Sequence, residues 1–411
     1  MKALISVVLG AALFLLPIVA TAACDIQGNG EVNVISNSFP SLEVIAAKMK
    51  SCNRDGLKIE YKLTRGIDEE SKQAFAAAKC PYDLAQGANS LATALQAGGY
   101  LQPLNDLVEK YRDKYKIEDG MLIRFGDDIM AIAFQVNAQH LFYRKDLLEK
   151  HNIAVPTTWE EVLAAAEKLK GDASIQFPLG GTYKAGWNIA QEFINMYLGM
   201  GGQFFKPGTA EPAFNSETGL KTLELMKKLM AYMSPNALAL DTTAIMQQFQ
   251  QGQIAMANLW ASRAVKMDDE AESKVVGKIE FAAAPLAKKG GAPATTLWWD
   301  GFYLAKNMDG DRDLAFQVMM EGLSEDVVTA NNDVTIWLRS VYKASRFSKG
   351  AYESAMGGAP SYPMKAQMPL VHAALGENIG DFMAGKESAK ESLDDAEASY
   401  IQAAREKGYI K

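Results

Sequence analysis

Histidine and cysteine are scarce in this chain, with three of each among 411 residues. His140, His151 and His372 are dispersed, and none has the spacing of a metal-ligand set. No Gly-x-Ser-x-Gly turn is present, which removes the nucleophile elbow of the α/β hydrolases. There is no basic run, and a formal net charge of −7 argues against nucleic acid as a partner. Past residue 23, no apolar stretch approaches the roughly 20 residues that cross a bilayer.

Two near-motifs also fail. Gly380–Lys386 resembles a phosphate-cradling loop, but Glu387 stands where a Mg²⁺-binding Ser or Thr is required, and no strand pattern precedes it. Asp309, Asp311 and Asp313 have calcium-loop spacing, yet Leu314 replaces the glycine and Met320 the closing glutamate. These acids fit the start of a helix, where negative charge meets the N-terminal dipole. No cofactor is implied.

What is present begins with Lys2 and an apolar run from Ala3 to Val19, closed by the small residues Ala20–Ala23. This is the pattern of a secretory signal, residues 1–23, and predicts export to the bacterial periplasm. The remainder is long enough for two or three domains. An oxidising compartment favours a disulfide among Cys24, Cys52 and Cys80, with one cysteine left over. Cys24–Cys52 competes with Cys52–Cys80. A lipid on Cys24 would account for all three, but Thr21 stands where lipoprotein signals carry Leu.

Alternation at Glu31–Ile35 and Leu57–Tyr61 predicts strands, and a third follows at Tyr82–Gln86. Helices are expected from Pro40 and over Glu69–Ala78. A β-α-β-α-β order implies a parallel sheet covered by helices, with ligands at the C-terminal ends of the strands. The loops there are Ser36–Phe39 and Gly87–Asn89. Further on, Thr158 and Glu161 have capping-box spacing ahead of a helix to Leu169. Helices are expected near Trp187–Met200 and Glu217–Met233, strands at Ile254–Leu259, Ile279–Ala284 and Thr296–Leu304, and a helical end from about Asn378.

The segment Gly126–Asn137 resembles the "dGkiyglPynvn" stretch of the family 1 extracellular solute-binding proteins, the maltose-binding type. Leu141–Leu148 is similar to the family's "lfYNkdlf", Pro156–Glu161 to its "PtTWdEl" and Gly252–Met256 to its "GkaAM". The resemblance implies an α/β, two-lobed periplasmic binding protein fold (type II), with a ligand cleft between lobes joined by hinge strands. The implied N-terminal lobe is 24–134 plus 296–330, and the C-terminal lobe 135–295 plus 331–411. Crossings fall near Phe134–Asn137, Thr295–Trp298 and Ser324–Asp333. It also implies a monomeric receptor that delivers a sugar or polyol to the membrane permease of an ABC importer, without catalysis of its own. Two departures bear on the ligand class: Trp260 stands where the family often has Gly, and the Phe134–Gln135 region replaces a common Pro.

A sugar site combines planar polar groups with aromatic rings that stack on C–H faces. The candidates in the first lobe are Ser36, Asn37, Ser38 and Asn89, with helix capping the plain alternative for Ser36, Asn37 and Ser38, and Asn137 is a candidate at the crossing. Elsewhere they are Tyr183, Lys184, Trp187, Trp260, Arg263, Trp298, Trp299 and Asp300. Neighbours on a strand face opposite sides, so only one of Trp298 and Trp299 reaches the ligand. His372 is a weaker candidate, and Trp159 and Trp337 are assigned to packing. Arg263 and Lys184 would suit a rival ligand class, whether an organic anion or a phosphorylated compound; a polyamine is a further alternative. A carbohydrate-active enzyme with two distant carboxylates is the rival from another class.

Overall fold

Strand β1 (Gly30–Asn37) carries Val32 and Val34 into one core and Ile35 into another, as a strand buried on both faces must. Strand β2 (Leu57–Thr64) buries Leu57, Ile59 and Tyr61 and exposes Lys58, Glu60 and Lys62, because it is an edge with one wet face. Strand β3 (Leu84–Ala88) and β2 flank β1, both parallel to it. The computed structural model describes residues 24–411. The expected signal at residues 1–23 lies outside the described residues.

Four more strands complete the larger sheet: β4 (Leu122–Phe125), β5 (Asp128–Asn137), β10 (Trp298–Leu304) and β11 (Ile336–Trp337). The order is β11-β5-β10-β3-β1-β2, with β4 on β5. A smaller sheet of β6 (Gln139–Arg144), β7 (Phe177–Gly180), β8 (Ile254–Trp260) and β9 (Ile279–Ala282) has the order β7-β8-β6-β9. Each sheet has its own apolar cores, so the molecule has two α/β lobes.

Two passages between the lobes are short. Ala138 alone separates β5 from β6, and Leu297 precedes β10 while its backbone bonds to Pro360 and Tyr362. The third falls later than the expected Ser324–Asp333. Strand β11 still pairs with β5, and Arg339 donates to the carbonyls of Tyr115, Lys116 and Leu323. Arg346 instead bonds Ile279 O of the smaller sheet, so the chain changes lobe between these arginines. Residues 331–339 therefore pack with the first lobe.

Helix starts follow local chemistry. Thr158 and Glu161 form the expected capping box on the helix Trp159–Leu169. Asp311 caps the helix Arg312–Gly322 by accepting from Asp313 N and Leu314 N, so the acidic run is a helix start. Cys24 and Cys52 form a disulfide, and Cys80 is a buried free thiol. This overturns Cys52–Cys80 pairing. It also overturns lipid anchoring at Cys24, because the sulfur a lipid would need is already bonded.

Candidate ligand-binding cleft

The floor of the cleft is Asp300 on β10. Here β10 bulges against β5: Asp300 pairs with Gln135, but the next residue, Gly301, pairs with Ala133. A Cβ on Gly301 would lie 2.8 Å from Ile132 O and 3.0 Å from Ala133 Cα, so the bulge requires glycine. Gln86 Nε2 donates to Asp300 Oδ1 at 2.9 Å, and Gln135 Nε2 donates to Oδ2 at 2.7 Å. Both amides are themselves oriented: Gln86 Oε1 accepts from Asn37 N, and Gln135 Oε1 accepts from the Ser41 hydroxyl. Burial pushes the Asp300 carboxyl up to about 6, while Gln135, Arg263 and Gln86 oppose the rise. At neutral pH the group is a carboxylate with lone pairs left over.

Three indoles form one wall. Trp187 starts the helix Trp187–Gly199, Trp260 ends β8 and Trp298 starts β10. Their ring centroids lie 5.7 to 6.3 Å apart, with Trp298 edge-on to both others. Trp260 and Trp298 are buried, whereas Trp187 is 41% exposed and offers the open apolar face. Behind it His372 stacks at 5.0 Å. His372 Nε2 donates to Trp187 O, so Nδ1 accepts from the Tyr362 hydroxyl. Burial holds this imidazole down at about 4, hence neutral.

The polar rim comes from both lobes. Asn137, at the end of β5, donates to Ser262 Oγ at 3.2 Å and accepts from Ser262 N. Arg263 reaches from the second lobe over the Phe39 ring of the first, 5.9 Å from its centroid. Burial lowers the Arg263 pKa, against the attraction of Asp300 and Glu43. Asp68 touches solvent but is crowded by both lobes, and this desolvation raises its carboxyl pKa in spite of Lys72. These groups enclose a cavity of about 440 Å³ between the lobes. It continues past Trp187 into a space of about 410 Å³ beside His372, and past Arg263 into one of about 1030 Å³.

Of the candidates, Asn37, Asn137, Trp187, Trp260, Arg263, Trp298 and Asp300 line the central cavity, and Ser38 lines the space beyond Arg263. Five expected residues do not. Ser36 shares the inward phase of Val32 and Val34 and donates to Asn37 O. Asn89 is buried in the first helical turn after β3, and its amide has no partner among the described residues. Tyr183 packs inside the second lobe, its hydroxyl near Met226 O. Lys184 pairs with Asp241 at 3.4 Å. Trp299 points to the opposite face from Trp298 and packs on the first-lobe core. Trp159 and Trp337 are core, as assigned.

Sequence reasoning placed Phe39 in a cleft loop without giving it a role, and missed Arg65, Asp68, Ser90, Thr242 and Ser262 as lining residues. Arg65 and Asp68 follow β2 just as Asn37 follows β1. The rule that sites gather beyond the C-terminal ends of parallel strands would have found them.

The fold matches known proteins. An ABC transporter solute-binding protein of Agrobacterium radiobacter K84, solved in complex with ribitol, superposes with a TM-score of 0.80 at 24% identity, covering 92% of this chain and 99% of that one. A mannitol-binding protein of Pseudomonas aeruginosa is 22% identical over 347 residues, 77% of this chain and 78% of its own. A probable amino-acid ABC transporter periplasmic-binding protein of Sinorhizobium fredii is 31% identical over 137 residues, and the match spans only 31% of its length. Among the described residues no helix is long and apolar enough to cross a membrane. The model of the bacterial extracellular solute-binding proteins matches residues 53–307, and the chain belongs to that family.

Proposed function

We propose that this protein is the periplasmic receptor of an ATP-driven importer, capturing a sugar or polyol between its lobes and presenting it to the membrane permease. It acts as a monomer, closes about its hinge segments and performs no catalysis of its own. The observation that carries the reading is the pairing of Asp300, held by two glutamine amides, with the indole wall beside it. A hydroxyl can donate to the carboxylate and accept from Arg263, while the C–H face of the same molecule lies on Trp187. The relatives named for mannitol and solved with ribitol support that choice.

The test is a thermal-shift screen of the protein with sugars, polyols, amino acids and polyamines, followed by calorimetry. A ligand that binds only the folded state at 100 times its Kd adds about 2.7 kcal/mol of stability. Shifts with sugars or polyols are expected. Shifts confined to amino acids or polyamines would overturn the ligand class, and turnover of a glycoside would overturn the receptor role.

A further inference from the structure

Two arginines from opposite lobes stand at the junction of the central cavity and the space beyond it. Arg65 follows β2 in the first lobe, and Arg263 follows β8 in the second. Both line both cavities. Among the described residues neither guanidinium makes a hydrogen bond or ion pair, and Arg263 has only the face of Phe39. Asp300 and Glu43 attract Arg263 through space without reaching it. Its five N–H donors therefore stay open in a partly desolvated position, where an unpaired cation is costly.

Asp68 lines the central cavity beside Arg65, and the other charges of the space beyond are engaged elsewhere. Lys184 holds Asp241, Lys266 holds Asp269, Glu272 accepts weakly from Gln250 and Glu43 from Ser38. Asp300, by contrast, lines the central cavity but not the space beyond Arg263. The cleft thus separates a hydroxyl-accepting floor from two open guanidiniums at its exit. A neutral polyol satisfies the floor but offers the two guanidiniums only uncharged hydroxyl acceptors.

We infer that the ligand is a polyhydroxy acid, a sugar or polyol skeleton ending in a carboxylate, whose anionic end is clamped by Arg65 and Arg263 while its hydroxyls face Asp300 and its C–H face lies on Trp187. The inference rests on the sugar-or-polyol reading and narrows it. The planar fork of a guanidinium matches a carboxylate through paired N–H bonds, and donors from both lobes make the anion a bridge that favours closure.

Matched pairs test it: calorimetry of the protein with D-mannonate against D-mannitol, D-gluconate against D-glucitol, and D-glucuronate against D-glucose. The acid of at least one pair should bind about tenfold or more tightly than its neutral partner, a charge-assisted gain. That preference should weaken with added salt and collapse in R65Q and R263Q. Preference for the neutral member of every pair would overturn this inference and leave the proposed function standing. No binding by either member of any pair, or by other sugars and polyols, would overturn both. An acid preference unchanged in both arginine variants would overturn the clamp. R263K, which keeps the charge but loses the fork, should retain part of the preference, and unliganded melting curves check that each variant folds.

Discussion

Trp298 Nε1 donates to Thr296 Oγ1 at 2.8 Å, joining an indole of the ligand wall to the chain segment that passes between the lobes. Thr296 also accepts from Gln191 and donates to Asn195, both on the helix that begins with Trp187. One buried network therefore holds two of the three indoles. Thr296→Val keeps the shape but leaves a buried indole N–H and two amides short of a partner. A loss of about 1 to 3 kcal/mol is expected, read as a lower denaturation midpoint. Ligand affinity should fall with it, because Trp298 is no longer held in place.

On the proposed reading, Asp300 couples binding to pH. Burial pushes its carboxyl up to about 6, and the ionised form is acceptor-only, the form that suits a ligand hydroxyl. Affinity for a neutral sugar or polyol should be constant above neutrality and decline as pH falls through 6. Asp300→Asn should weaken binding by tenfold or more, to judge by the roughly 1.5 to 3 kcal/mol of a charge-assisted bond, and abolish this pH dependence. Calorimetry between pH 5 and 8 reads both effects.

Glu192 affects stability rather than binding. It is buried and accepts from Thr182 and from Gln139, both on Oε1, and burial pushes its carboxyl up to about 7. An unfolded glutamate titrates near 4.3. Between these values the folded state binds the extra proton, so the stability this group contributes is full below about 4 and lost as pH rises through 7. Glu192→Gln keeps the accepting oxygen and removes the ionisation. It should raise the melting temperature at pH 8 and change it little at pH 5.

The Cys24–Cys52 disulfide closes a loop with a sequence separation of 28. Removing it with Cys52→Ser, or by reduction, should lower stability by about 3 kcal/mol through the freed unfolded chain. Cys80, buried in the first lobe, should react with a thiol reagent only when the protein unfolds. Thiol counting before and after denaturation checks this.

Gly301 sets the bulge under the site. Gly301→Ala brings a Cβ against the backbone of Ile132 and Ala133, which side-chain movement cannot relieve. A loss of about 1 to 3 kcal/mol is expected, together with weaker binding as Asp300 is displaced. Unchanged affinity in a folded variant would show that Asp300 does not depend on the bulge for its position.

Much of this was legible in the chain. Alternation marked β1 and β2, the Thr158–Glu161 spacing marked its helix start, and the alternation rule separated Trp298 from Trp299 correctly. Each is local, decided by residues within a turn or a pleat of one another. The same rule was not applied to Ser36, whose phase matches Val32 and Val34. Lys184 failed for a different reason, since its partner Asp241 lies 57 residues away.

The sequence by itself determined the elements and the segments that border the cleft, because strand and helix periodicities and strand-end loops are short-range properties. The two-lobed class came from the resemblance of Gly126–Asn137 and the segments after it to the solute-binding family. Only the tertiary structure decided which of those residues meet. Gln86 and Asp300 are 214 positions apart, and no local pattern relates them. They touch because β10 returns from the second lobe to pair between β3 and β5, and the bulge at Gly301 turns the carboxylate between the two glutamine amides. Arg65 and Arg263 likewise share a cavity only because the chain crosses between lobes at Ala138 and Leu297. The geometry of those crossings depends on the packing of both cores together, a property of the whole chain and not of any one segment.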